Sequence, residues 1–109
     1  MTGADLKMQK SIADNMTNND RRGRYAAAIV RKRIELLATA RVGCKNTRLF
    51  GAVVDCCRLA AADVVDWSVL EAELRAVAEG IGLQSGEVSQ TIASAQRRAD
   101  ALGAWDDWG

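Results

Sequence analysis

The sequence predicts an all-α protein, a compact bundle of four main helices, and three observations support this prediction. Proline is absent, and no stretch alternates apolar and polar residues with the period of two that a half-buried strand requires. Apolar residues make up 49% of the 109-residue chain, which is enough for one domain with a modest core. Apolar side chains recur at helical spacings of three and four between glycine-containing turns. We expect the helices at about 21–40, 47–62, 68–81 and 86–102.

The first helix follows a polar segment. We predict that residues 1–19 form a flexible or partly helical arm, that residues 20–103 form the bundle, and that Asp20 caps the first helix. Gly43 stands where a left-handed residue ends such a helix. The expected buried stripe is Tyr25, Ile29, Leu36, Leu37 and Ala40.

The second helix begins with Asn46, a residue type that favours the N-cap position. Asp55 and Arg58 are expected to point outward. We expect Cys57 in the core, because a free cysteine behaves as a small apolar side chain, and Cys56 half exposed. The expected buried stripe is Leu49, Phe50, Val53, Val54, Cys57 and Ala61.

The third and fourth helices have recognisable ends. Ser68 and Glu71 have the spacing of a capping box at the start of the third helix. Ser85 is expected to cap the fourth helix, and Gly103 to end it, which leaves residues 104–109 as a short acidic tail. The expected core residues are Leu70, Leu74, Val77, Ala78 and Ile81, then Val88, Ile92, Ala95, Ala99 and Leu102.

The cysteine and histidine content argues against several classes of chemistry. The chain has three cysteines and no histidine, so we expect no metal site, no cofactor, no disulfide framework and no catalytic residue. No apolar run approaches the length of a membrane span, and the N-terminus lacks the pattern of a signal peptide. We therefore expect a cytoplasmic protein that does not enter membranes.

Charge is divided unevenly along the chain. The first 58 residues contain 12 basic and 5 acidic residues, whereas residues 59–109 contain 3 and 9. A cationic half requires a polyanion, a lipid surface or the chain's own acidic half as its partner. The composition leaves these three possibilities open.

Basic residues gather at three places. Arg41, Lys45 and Arg48 surround the start of the second helix, where free backbone N–H groups attract phosphate, although solvated surface charges at an ordinary helix start are the simpler explanation. Arg97 and Arg98 lie near the end of the fourth helix, where cations also relieve the helix dipole. A secondary basic face on the first helix, which pairing with Glu71 and Glu79 would equally explain, comprises Arg21, Arg22, Arg24, Arg31 and Lys32.

Three blocks in order resemble the primase C-terminal helical domain, which follows the catalytic core in primase–polymerases of phages, plasmids and integrated elements. The blocks are Gly43–Phe50, Leu74–Leu83 and Glu87–Ala95, and the resemblance covers about residues 25–99. Within the last block, the Thr91–Ala95 run is the most specific part. The chain departs from the pattern in having Lys45 where an arginine is usual, and it has no room for the catalytic core.

The resemblance implies a non-enzymatic module that assists primer synthesis by holding single-stranded or primer–template DNA and the initiating nucleotide. It also implies a replication protein, a primase or a helicase, as partner, since any catalysis would belong to another domain or chain. Lys45 and Asn46 take the polar positions of the motif, and Thr91 and Ser94 its hydroxyl positions, for which close helix packing is the alternative. The expected nucleic-acid-binding residues are Arg41, Lys45, Asn46, Arg48, Thr91, Ser94, Arg97 and Arg98.

Protein–protein interaction remains the alternative function. A small phage-type protein would dock on a replication or host factor through its acidic half or through Trp105 and Trp108 of the tail. The tail has three possible placements: it folds back on the bundle, binds a partner's groove, or covers the basic face and competes with DNA. A helix-turn-helix regulator is a weaker alternative, since Gly80–Ser85 resembles the turn but few basic residues follow it.

Overall fold

The structure is a computed structural model that describes the backbone of residues 3–108 and the side chains of residues 21–108. The chain forms four helices, and the described backbone contains no strand, which confirms the all-α prediction. The helices are α1 (Gly3–Ala38), α2 (Lys45–Ala61), α3 (Trp67–Gly80) and α4 (Ser85–Leu102). Helix α1 begins at Gly3 and not at about residue 21, so Asp20 lies inside the helix and is not its N-cap. The predicted flexibility of residues 1–19 concerns residues whose side chains are not described, and it stays a prediction.

Helix α2 is the centre of the bundle. It packs against each of the other three helices, most extensively against α4, and α3 also contacts both α1 and α4. Burial of leucine, valine, isoleucine and small alanine side chains drives this arrangement, because each buried aliphatic side chain contributes about 1.5–3 kcal/mol. The largest fully buried side chains are Leu37, Leu49, Leu59, Leu74, Ile92, Val53, Val88 and Cys56.

The buried stripe of α1 is rotated from the one predicted. Ala26, Val30 and Leu37 are buried, whereas Leu36 is only half-buried. Tyr25 is also half-buried, since it packs against Trp108 of the tail with ring centroids 5.8 Å apart.

The buried stripe of α2 differs in a similar way. Ala52 and Leu59 are fully buried, whereas Phe50, predicted in the core, is 36% exposed. The burial predicted for the two adjacent cysteines is reversed: Cys56 is fully buried, and Cys57 is only half-buried. The predicted stripes of α3 and α4 agree better: their central residues are buried, and the main exception is Leu102, which is 44% exposed.

The N-termini of three helices begin one or two residues before the predicted caps. Cys44 is the N-cap of α2 and makes no side-chain cap bond, so the prediction for Asn46 was wrong. Gln84 precedes α4 in place of Ser85. Helix α3 is capped by Asp66, which accepts from the backbone N–H of Ser68, so the capping box also fails.

The Ser68 hydroxyl also donates to Asp66 at 2.7 Å, and these bonds hold the pKa of the Asp66 carboxyl below its usual value. Glu71, the other half of the predicted box, instead pairs with Arg75 one turn later, at 3.1 Å. An aspartate two residues nearer the loop therefore outcompetes serine at this helix start.

The C-termini of α2 and α3 end in the same backbone motif. After α3, the N–H of Leu83 donates to Ala78 and that of Gly82 to Glu79, and Gly82 has a φ of +103°. This is a Schellman motif with a left-handed glycine. After α2, Val64 donates to Leu59 in the same way, but the left-handed position is Asp63, with a φ of +63°.

Replacing Asp63 with glycine should stabilise the fold. A side chain with a Cβ atom is disfavoured in the left-handed conformation, and glycine is not, so we expect Asp63→Gly to raise the free energy of unfolding by about 0.5–1 kcal/mol. Urea unfolding followed by circular dichroism measures this change. Asp63→Ala is the matched control, since it removes the carboxylate but keeps Cβ, and it should not stabilise. Equal stabilisation by both variants would contradict this explanation.

Candidate nucleic-acid interface

A groove lined mainly by polar side chains lies between the first half of α2 and the middle of α4. Its volume is about 470 Å³, and it is broadly open to solvent. Three residues that the sequence singled out, Asn46, Thr91 and Ser94, line it together. We call it the polar groove, and its full lining is Asn46, Thr47, Phe50, Gln90, Thr91 and Ser94.

Hydrogen bonds orient the side chains of the polar groove. The Nδ2 atom of Asn46 donates to the Glu87 carboxylate at 3.0 Å, and the Thr91 hydroxyl donates to Oδ1 of Asn46 at 3.4 Å. At the other end, a guanidinium nitrogen of Arg97 donates to the Ser94 hydroxyl at 3.2 Å. This bond brings the charge of Arg97 to the edge of the groove. The groove therefore combines an oriented amide, two hydroxyls and a cation.

A second groove adjoins the first. We call it the arginine groove; its volume is about 270 Å³. Phe50 lines both grooves and is partly exposed, so its ring lies between them. The arginine groove is lined by Arg33, Leu36, Arg48, Phe50, Gly51, Ala52, Val54, Asp55, Arg98 and Leu102.

The cations of the arginine groove differ in their availability. Arg33 forms an ion pair with Asp55, whose side chain is only 18% exposed and thus does not point outward as predicted. Arg48 and Arg98 are exposed, and neither has a partner among the side chains that the structure describes. A phosphate or carboxylate ligand would therefore meet two uncompensated guanidinium groups here, and Arg97 at the adjoining groove.

Lys45 and Arg41 do not form one cluster with Arg48. The Lys45 ammonium donates to the carbonyl of Ile81, the residue that ends α3, and Lys45 is half-buried. A cation at this end of a helix bonds an otherwise unpaired carbonyl and compensates the helix dipole. Arg41 is exposed in the loop before α2. The predicted trio is thus divided, with Arg48 alone lining the arginine groove.

The charge at the start of α2 comes from its backbone and from Glu87. Its N-cap residue supplies no side-chain hydrogen bond, and its first turn contains no acidic residue. The leading N–H groups of a helix have no partner within the helix, so they add partial positive charge at this end of α2. The Glu87 carboxylate, which accepts from Asn46, adds a negative charge at the same place.

The secondary basic face on α1 is exposed as predicted, but its predicted acidic partners are engaged elsewhere. Glu71 binds Arg75, and Glu79 accepts from the Ser85 hydroxyl at 3.1 Å. Arg22 lies over the ring of Trp108, 5.0 Å from its centroid. The exposed members of this face are Arg21, Arg22, Arg24, Arg31 and Lys32.

The tail folds back on its own bundle. The backbone N–H of Trp105 donates to the carbonyl of Arg58 at 2.9 Å. The Arg58 guanidinium lies over the Trp105 ring and donates to the carbonyl of Gly103. Arg58 is therefore turned toward the tail and is not a free outward charge. Trp105 and Trp108 both pack against the core, so any partner that recognised them would first have to detach them.

The thiols of Cys56, which is buried, and Cys57, which is half-buried, are not activated nucleophiles. Burial, with a further contribution from the Asp55 charge, raises the pKa of the Cys56 thiol from 9.0 to about 12. Burial and the Asp100 charge raise the pKa of Cys57 to about 11. Both groups therefore remain protonated thiols at neutral pH.

Sequence reasoning missed Thr47, Phe50 and Gln90 as groove residues. Phe50 could have been found, since it directly follows Leu49 and adjacent helical positions point about 100° apart. Both residues cannot occupy the centre of one buried face. Gln90 and Thr47 have no comparable signal, because polar residues on a helix surface look alike in sequence.

Within the described part of the chain, none of the helices is long and apolar enough to cross a membrane. Comparisons of the chain with protein-family models, curated proteins and solved structures find no match.

Thiol labelling should separate the three cysteines. Cys44 is exposed, so we expect one fast-reacting thiol in the native chain and three in guanidinium. The raised pKa values mean that the folded state favours the protonated thiols of Cys56 and Cys57. Their contribution to the free energy of unfolding is complete below about pH 9 and is lost as pH rises toward about 11–12. Fast labelling that survives in a Cys44→Ser variant at neutral pH would contradict this assignment.

Proposed function

We propose that this chain is a non-enzymatic module that binds single-stranded or primer–template DNA and so assists primer synthesis in the replication system of a mobile element. The supporting observation is that the polar groove and the arginine groove meet at Phe50. One face of the α2–α4 pair thereby presents an aromatic ring, amides, hydroxyls and uncompensated cations. These are the groups that bind nucleic acid strands.

Arg48 and Arg98 bind the phosphate backbone in this proposal. Guanidinium groups match phosphate with two parallel hydrogen bonds, and these two have no carboxylate to satisfy them among the described side chains. Arg97, held at Ser94, adds a third cation. Displacement of counterions by these groups makes the affinity strongly salt-dependent.

Phe50 and the polar groove receive the bases. Base stacking on an aromatic side chain is tolerant of sequence and contributes about 1–3 kcal/mol per base. The amides of Asn46 and Gln90 are able both to donate to and to accept from a base edge. Paired and stacked bases of a duplex would not reach this ring, so the groove favours an unpaired strand.

The resemblance to primase C-terminal domains supports the same face. It singled out Lys45, Asn46, Thr91 and Ser94 as functional positions. The last three line one groove, whereas Lys45 binds the carbonyl of Ile81 outside it. A primase core or helicase on another domain or chain would supply the chemistry of primer synthesis.

Removing the unpaired cations should weaken DNA binding. We expect Arg48→Ala and Arg98→Ala each to lower affinity for a fluorescein-labelled oligonucleotide about three- to tenfold, and to flatten the salt dependence by about 0.7 per lost phosphate contact on a single strand. Anisotropy titrations at two salt concentrations measure both effects.

The matched control is Arg75→Ala, which removes the same charge from a residue bound to Glu71 and Ser89. It should change the affinity much less. Equal losses in all three variants would indicate a general charge effect rather than a site, and the absence of binding by the unmodified chain at low salt would refute the proposal.

Removing the aromatic ring should discriminate between strand types. We expect Phe50→Leu, which keeps an apolar side chain of similar size, to weaken binding to a single strand about fivefold or more and to leave duplex binding unchanged. The same titration with matched single-stranded and duplex oligonucleotides tests this expectation. A loss that is equal for both would show that the ring does not stack on bases.

A further inference from the structure

A third groove, between α1 and α3, lies apart from the proposed DNA-binding face. Its volume is about 390 Å³, and it shares no lining residue with the other two grooves. We call it the α1–α3 groove. It is lined by Ala27, Val30, Arg31, Ile34, Val65, Leu70 and Glu73.

The floor of this groove is apolar. Ala27, Val30 and Ile34 have helical spacings of three and four along α1, so they form one stripe that faces α3. On α3, Val69 precedes the groove residue Leu70 in the sequence but does not line the groove itself. It is 60% exposed and is one of the few large apolar side chains that the described part of the chain leaves in solvent. Exposed apolar surface of this kind is favourable to association.

Two unpaired charges of opposite sign flank the apolar floor. Arg31 belongs to α1 and Glu73 to α3, and both are exposed. Neither has a partner among the side chains from residue 21 to 108. The groove therefore has a cationic wall and an anionic wall, and each wall is complementary to the other.

We propose that the α1–α3 groove binds a second copy of this chain. In a two-fold symmetric pair the same patch faces itself, so a contact between residues i and j occurs twice. The cationic wall of each copy then meets the anionic wall of the other, and Arg31 pairs with Glu73 across the interface at two equivalent places. A second copy satisfies both charges, and its exposed Val69 supplies apolar surface for the groove.

Sedimentation velocity over about 5–500 µM protein tests the proposal, because a small interface of this kind gives a dissociation constant on the order of tens of micromolar. The unmodified chain should show a concentration-dependent dimer. Arg31→Glu and Glu73→Arg each place like charges opposite one another, and each should weaken the dimer tenfold or more. Both positions are exposed, so the variants should fold, which circular dichroism checks.

Two combinations of these substitutions should restore the dimer, and they make the test specific for a second copy of the chain. The double variant Arg31→Glu, Glu73→Arg exchanges the two walls and should dimerise within about threefold of the unmodified chain. An equimolar mixture of the two single variants should also dimerise, since one copy then has two anionic positions and the other two cationic ones.

Three outcomes would overturn the proposal. They are a monomer at all concentrations, a dimer unaffected by either single variant, and single variants that weaken the dimer without restoration in the mixture. The test uses no DNA, so its result is independent of the proposed function.

Discussion

The close packing of α2 against α4 is the constraint on which the rest of the structure depends. Fully buried Ala52 and Val53 on α2 and Ala95 on α4 are small, so the two helices pack closely. Asn46 and Thr91 lie beside this contact, and their hydrogen bond joins the two helices across 45 sequence positions. The polar groove therefore lies beside the contact that positions the two helices, although most of its own side chains are exposed.

Contacts within the molecule compensate only some of the basic residues that are concentrated in the first 58 positions. Lys45 donates to the carbonyl of Ile81 at the end of α3. Arg58 binds the carbonyl of Gly103 and lies over the Trp105 ring of the tail. Each of these two cations therefore has a structural function. Arg33 is neutralised by Asp55. Arg48 and Arg98 remain uncompensated by the described side chains. The cationic half therefore has fewer available charges than its composition suggests. Arg48 from this half and Arg98 from the acidic half line one groove together with Phe50.

Sequence predictions agree with the structure where a single residue type strongly determines the local backbone conformation. Gly103 ends α4 as predicted, because a left-handed C-cap is almost a property of glycine alone. The cap predictions fail at Asn46 and Ser68, since several polar residues near each helix start are similar candidates and hydrogen-bond geometry selects among them. Asn46, Thr91 and Ser94 could be proposed together only through the resemblance, and nothing in their spacing shows that they share a groove.

The sequence alone determined the helical class, the number of main helices and the central core residues of α3 and α4, because helical periodicity and turn chemistry are local. Tertiary structure decided which face of α1 and α2 is buried, since adjacent residues such as Cys56 and Cys57 are equally apolar and only their neighbours distinguish them. It also decided that Phe50 is partly exposed and that Lys45 is engaged. The physical reason is that burial and charge compensation depend on groups distant in the chain, whose positions follow from how the helices pack.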